Sequence, residues 1–244
     1  MLVRQFPAAL FGTNCYVVAP SAGEECVIID PGAGVVDRVE ACLTELKLRP
    51  AAVLLTHGHF DHCFAVTPVC GAHDVPLVVH GDDRYRLKDP LGSLDAGLRF
   101  MLEQQFASSG PWAEPDDILT VEDAEQLSLA GLDIRVVHAP GHTEGSVIFR
   151  LPDRPDDTWQ PSPATETAFT GDVLFAGSIG RTDLAGGDPA AMQRSLANKV
   201  LAMPDTTYLF PGHGETSNLG RERRVNPYLR EVEHAGAEQS PDAH

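Results

Sequence analysis

Four residues able to hold a metal ion or a proton crowd into six positions: His57, His59, Asp61 and His62, in the run HGHFDH. The run follows AAVLLT, an apolar stretch that reads as a buried strand, so groups that prefer water are delivered to a strand's carboxyl end. Titratable groups are seldom desolvated together unless a cation compensates them. The His-x-His pair can chelate one ion from a turn, while Asp61 and His62 point toward a neighbouring position, so the spacing itself suggests two ions. Imidazole with carboxylate suits zinc, iron or manganese, and no cysteine among the six favours a softer ion.

Three further residues share this character: His142 in HAPGHTEGS, Asp172 in FTGDVLF and His213 in FPGHGE. Each follows an apolar strand and lies near a Gly, which permits a tight turn and close backbone approach. Five histidines and two carboxylates fill two sites if one carboxylate is shared.

The elements that must position these groups alternate in type. Residues 2–6, 15–19 and 26–30 read as strands with Gly and Pro punctuation between them. Val36, Val39, Leu43 and Leu46 recur at helical spacing, with Arg49-Pro50 expected to end the helix. After a helical stretch within residues 82–117, which is long enough to serve as a lid, the scheme repeats. Residues 126–139 predict a hairpin, SVIFRL and TAFTGD strands, and residues 189–203 a helix. This pattern is that of mixed sheets covered by helices, in one domain over residues 1–233. The segment PDRPDDTWQPSPATE reads as a surface loop, and residues 234–244 as a flexible tail.

Composition narrows the partners. Of 244 residues, 43% are apolar, enough for a full core, and 18 Lys plus Arg face 35 Asp plus Glu for a formal charge of -17. Such a surface repels nucleic acid and anionic membranes, leaving a small molecule as the expected substrate. Five cysteines without a CxxC pair fit reduced thiols, and the N-terminal run shows no signal peptide, so a cytoplasmic location is expected. Nothing in the sequence specifies an oligomeric state. His73, His80 and His138 read as core histidines, and Cys63 as a small buried side chain.

THGHFDH, APGHTEGS, TGDVLFAGSIGRTDL and PGHGETSNLGRERRVNPYL together resemble the metallo-β-lactamase superfamily, most closely its single-domain glyoxalase II-like (hydroxyacylglutathione hydrolase-like) branch. The resemblance covers nearly the whole chain. It implies an α/β fold, a four-layer αβ/βα sandwich of two mixed sheets flanked by helices. It assigns His57, His59 and His142 to one metal, Asp61, His62 and His213 to a second, and Asp172 with a water or hydroxide to a bridge between them. Catalysis then rests on Asp61 and Asp172 with two divalent ions, zinc first, and Arg181 matches a position where relatives hold a cation near the substrate. Asp30, Thr56, Ser146 and Thr170 match supporting positions that orient ligands.

The implied reaction is hydrolysis of a thioester such as S-lactoylglutathione by the bridging hydroxide. True β-lactamases differ in this resemblance by a cysteine where Asp172 stands and by export. Full-length glyoxalase II enzymes carry a helical C-terminal domain, whereas only about thirty residues follow His213, so the thiol carrier is left open. Two alternatives remain beside the hydrolase: a persulfide dioxygenase with one iron, whose relatives carry a cysteine in the turn occupied here by Ser178-Ile179, and a metal-stabilised binding module without turnover.

Overall fold

Every residue of strand β2 (Asn14–Ala19) is buried, and its alternation sorts them between two different cores. Cys15, Val17 and Ala19 face a layer of helices, whereas Tyr16 and Val18 face a second sheet. The computed structural model, which describes residues 1–92, 94–105, 112–156, 159 and 164–238, extends this division to the whole molecule.

The first sheet runs β1 (Leu2–Pro7), β2, β3 (Glu25–Ile29), β4 (Arg49–Leu54), β5 (Leu77–His80) and β6 (Ile118–Val121) in spatial order. Its first three strands are antiparallel and the rest pair in parallel. The second sheet runs from β7 (Gln126–Leu129) through β8 (Leu132–His138), β9 (Val147–Leu151), β10 (Glu166–Gly171) and β11 (Thr207–Pro211) to β12 (Ser217–Asn218). Only β10 and β11 are parallel there. Both sheets are therefore mixed, as expected.

Helices α1 (Val36–Leu46) and α3 (Val66–His73) cover the outer face of the first sheet, with the one-turn α2 (Phe60–Cys63) between them in sequence. On the surface beyond lies α4 (Ala96–Gln105), where a helical stretch was expected; of its residues only Leu102 is buried. The outer face of the second sheet packs on α5 (Pro189–Ser195), the wide π turn Leu196–Val200 that continues it, α6 (Leu219–Val225) and α7 (Pro227–Glu238). The architecture is thus helix, sheet, sheet, helix.

Between the sheets Phe169 and Phe210 stack at 5.1 Å, and Tyr16 meets both edge-on. Burial of each such ring contributes roughly 1.5–3 kcal/mol. The Tyr16 hydroxyl, wholly inside, donates to the Pro211 carbonyl at 2.6 Å and so ties the first sheet to the end of β11, two residues before His213.

Two boundaries differ from the sequence expectation. Pro50 does not stop α1, because Lys47 already ends it in the left-handed conformation (φ 54). Pro50 lies inside β4 beside a register shift of β3, one of the few places where a strand tolerates a missing N–H. At the other end α7 continues past Glu233 to Glu238, where a flexible tail was expected to begin. Residues 239–244, the expected lid's residues 93 and 106–111, and residues 157, 158 and 160–163 of the Pro-rich loop lie outside the described residues. Within that loop Trp159 is partly buried, its ring 4.8 Å from Phe210. All five cysteines are free and buried, and among the described residues no helix is long and apolar enough to cross a membrane.

Candidate metal centre

Four strands end at the same place. Beyond β4 the chain turns through His57 and His59 into α2, which carries Asp61 and His62. Beyond β8, β10 and β11 come His142, Asp172 and His213. The two sheets thus contribute four and three candidate ligands, and all seven converge. His57, His59 and His142 form one group, Asp61, His62 and His213 another, and Asp172 joins His57 and His62 in a third, the ligand atoms within each group lying within 4.8 Å of one another.

Within the first group His142 Nε2 is 3.2 Å from His57 Nε2 and 2.8 Å from His59 Nδ1. In the second, His213 Nε2 is 3.1 Å and His62 Nε2 3.6 Å from Asp61 Oδ2. Asp172 reaches across both: Oδ1 is 3.4 Å from His62 Nε2, and Oδ2 is 3.5 Å from His142 Nε2 and 3.6 Å from His213 Nε2. Zinc bonds of about 2.0–2.1 Å in tetrahedral array place ligands about 3.3 Å apart, which most of these separations approach.

The hydrogen bonds around the cluster establish which ring atoms carry protons. Thr56 Oγ1 donates to Asp30 Oδ2 at 2.6 Å, so it accepts from His57 Nδ1 at 3.1 Å. His57 Nε2 is left as a lone pair facing inward. His142 Nδ1 donates to the Arg181 carbonyl at 2.7 Å, which leaves its Nε2 likewise a lone pair. Two lone pairs facing each other at 3.2 Å repel unless a cation lies between them. His62 Nδ1 in turn faces Asp30 Oδ2 at 3.0 Å, turning Nε2 inward, and His62 Nε2 and Asp172 Oδ1 are both buried without a hydrogen-bond partner. The residues present therefore fit divalent ions.

Burial and charge act on the metal-free centre in opposite senses. Burial, then the neighbouring histidines, push His57 well down; burial and His142 push His59 down to about 3; and burial pushes His142 down against the pull of Asp172. For His62 burial also opposes the charge, but Asp61, Asp172 and Asp30 prevail and hold it well above the usual range. Desolvation pushes Asp61 and Asp172 up, yet His62 above all holds both carboxylates low.

The unfolded chain binds protons at its histidines near pH 6.5, whereas His57, His59 and His142 refuse them in the fold. Stability of the metal-free protein is therefore lost as pH falls from about 6.5 toward the value of about 3 at His59. The His62 contribution is fully present below about pH 6.5, throughout that window, and is lost only as pH rises through its raised value, so it does not offset the trend. Thermal melting of chelator-treated protein across the range checks this; a melting temperature that climbs on acidification contradicts it.

The expected supporting residues divide. Asp30 and Thr56 touch ligand rings directly. Ser146 Oγ accepts from the Thr143 N–H at 3.0 Å and Thr170 Oγ1 donates to the Leu174 carbonyl at 2.8 Å, so these two hold the turns instead. The expected core histidines His80 and His138 stack at 3.9 Å, and His73 pairs with Glu40 at 2.7 Å.

Arg181 enters the centre through its backbone carbonyl, the acceptor for His142, while its exposed guanidinium forks onto Asp183 with two contacts of 2.7 Å. Sequence reasoning also missed Thr13, whose hydroxyl donates to Asp61 Oδ2 at 2.7 Å, and Asp83, whose buried carboxylate receives the Gly58 N–H. Gly212 has no room for a side chain: a Cβ there would press on Asp172 Oδ1 and stand 2.7 Å from His62 Cε1.

Known proteins share this arrangement of chain. An uncharacterized protein of Mycobacterium tuberculosis is 39% identical over 230 residues, 94% of this chain and 98% of the relative. A Haemophilus influenzae protein named hydroxyacylglutathione hydrolase GloC is 31% identical over 229 residues, 94% and 98% of the two chains. Among solved structures, the BLEG-1 B3 metallo-beta-lactamase matches with a TM-score of 0.73 at 34% identity, covering 93% of this chain and 99% of that one. A second structure, solved in a di-iron-bound form, matches with a TM-score of 0.70 at 33% identity over 92% and 99%. The metallo-beta-lactamase superfamily profile matches residues 8–156, which with the fold and the His/Asp cluster establishes that the chain belongs to that superfamily.

Proposed function

We propose that this metallo-hydrolase is dinuclear and cleaves a thioester of a small thiol carrier, of the S-lactoylglutathione kind. The observation that carries the two-ion reading is the inward-facing lone pairs of His57 and His142 and the inward-turned, unpartnered Nε2 of His62 around the single spanning carboxylate of Asp172. His57, His59 and His142 would hold one ion, Asp61, His62 and His213 the other, and Asp172 both. Ions held there, zinc foremost, would supply an activated water at neutral pH and a Lewis acid for a carbonyl.

The chain's own groups favour a thioester over an amide. Asp61 and Asp172 are both held ionised, so neither has a proton to give an amine leaving group, whereas a thiol leaves as a thiolate unaided. Thr13 fixes one oxygen of Asp61. At the rim stand His213 and Asp61, their side chains 28% and 21% exposed against 0% for His62, so a substrate carbonyl would approach from their side. The relative named hydroxyacylglutathione hydrolase GloC, 98% of whose length this chain matches, supports a glutathione thioester.

The second reading is lactam hydrolysis. Asp172 argued against it in the sequence, but the BLEG-1 lactamase resembles this chain at 34% identity. One experiment separates these: elemental analysis of purified protein, then assay against S-lactoylglutathione, acyl-coenzyme A thioesters, a chromogenic cephalosporin and, by oxygen uptake, glutathione persulfide. Two metal equivalents with thioester turnover are expected. A single iron with oxygen uptake on a persulfide overturns the hydrolase, cephalosporin turnover alone overturns the thioester, and full metal without turnover makes the chain a binding module.

Arg181 would grip a carboxylate of the carrier by exchanging Asp183 for it. Because that exchange gives up an existing pair, Arg181→Ala should lower kcat/KM only about tenfold. Metal content should hold, since the backbone carbonyl that supports His142 stays. Steady-state kinetics with metal analysis decides; unchanged kcat/KM with a lowered melting temperature makes Arg181 a structural residue.

A further inference from the structure

Asp83 is no member of any ligand group, is fully buried, and stands on the 3₁₀ segment Gly81–Lys88 that follows β5. Its Oδ2 accepts from the Gly58 N–H at 2.7 Å and from Thr143 Oγ1 at 2.8 Å, and its Oδ1 from the Gly145 N–H at 2.8 Å and Arg86 Nε at 3.3 Å. Gly58 separates His57 from His59, and Thr143 and Gly145 lie one and three residues after His142. One carboxylate thus pins both loops that supply the three-histidine group, although they come from different sheets.

The fit around it is tight. A Cβ on Gly58 would stand 2.9 Å from the Arg86 Cβ, and one on Gly145 would stand 2.6 Å from the Asp83 nitrogen. Arg86 in turn bonds Glu144 and the Ala185 carbonyl, so the charge of Asp83 is compensated inside the same knot. The hydrogen bonds recorded for Asp83 reach none of Asp172, His213 or their flanking turns.

From this we infer that Asp83 is a positioning residue that sets the spacing of His57 and His59 against His142, and so the affinity of the three-histidine site specifically. The inference rests on the two-ion reading above. A peptide N–H one residue from a ligand carries its imidazole with it when it shifts, and outer partners of this kind are worth about ten- to hundredfold in metal affinity.

Asp83→Asn is the direct test, since its NH2 cannot accept: one of the two acceptor oxygens is lost, and either the Gly58 and Thr143 donors or the Gly145 and Arg86 donors are left facing another donor. Chelator competition on zinc-loaded protein should show one ion weakened about ten- to hundredfold, with the other changed by less than about threefold, and cadmium NMR should place the loss at the nitrogen-rich site. A merely structural residue would lower the melting temperature of the metal-free protein and leave both affinities of the folded protein alone; that result, or equal weakening of both ions, overturns the inference. Should Asp83→Asn fail to fold, Thr143→Val deletes one donor at constant shape and should weaken the same ion severalfold, no change overturning the inference. A wild-type protein that takes up one ion overturns the two-ion reading and this inference with it, whereas two ions in the wild type with both equally weakened in the variant overturns this inference alone.

Discussion

Asp172→Ala is expected to cost the protein both its metal and its turnover. The carboxylate is buried and spans the two ligand groups, with Oδ1 at His62 and Oδ2 at His142 and His213. Its removal leaves Asp61 as the only anion among the seven, so two dications would sit close together with half the neutralising charge. Loss of affinity should exceed the ten- to hundredfold typical of outer partners, and turnover should fall by at least about 10² to 10³. The fold should survive, because the contact that holds the following turn is the Asp172 backbone carbonyl accepting from Gly180 at 3.0 Å. Metal analysis after dialysis against chelator, beside steady-state rates, measures both; two ions retained at the wild-type rate would remove Asp172 from its bridging role.

Gly212→Ala should do comparable damage by a different route, adding a methyl and removing nothing. The backbone at Gly212 does not require glycine by its φ; its N–H donates to the Gly171 carbonyl at 2.8 Å and its carbonyl accepts from Asn14 at 2.7 Å. The obstacle is space, since the new Cβ meets Asp172 Oδ1 and His62 Cε1 together. Relief requires one of these side chains to move, and a shift of about 1 Å in a reacting group costs about 10²-fold in rate. Overpacking also destabilises by roughly 1–3 kcal/mol, so the variant should fold with a somewhat lower melting temperature and a large activity loss. Full activity would show that the centre tolerates ligand displacement.

The seven candidate ligands were legible because each is a residue type of narrow chemical use placed directly after an apolar strand. The strands themselves were legible from β-branched runs, and the two mixed sheets followed from the resemblance. Asp83 was not legible: in HGDDRYRLKD it looks like any solvated turn, and only the packing of that turn against Gly58 and Gly145 buries it. Arg181 was singled out for its guanidinium, whereas the atom that meets the centre is a carbonyl, which no residue type advertises. Thr13 was invisible for a related reason, since its partner Asp61 lies 48 positions away. Pro50 misled because a proline ends a helix more often than it occupies a strand, and the register shift that accommodates it is a property of two strands together.

Each sheet is built from a continuous stretch of chain, residues 2–121 for the first and 126–218 for the second. An emerging polypeptide can therefore complete the first sheet before the second exists. On the two-ion reading its metal chemistry would not follow that order, because His57 and His59 would wait for His142, and Asp61 and His62 for His213, roughly 150 residues later, or about 8 to 30 s at synthesis rates of 5–20 residues per second. During that interval four exposed ligands on a finished half-molecule could capture an ion in the wrong geometry. Loading of the second ion would then belong to the last stage of maturation, after the ribosome has released the loop that carries His213.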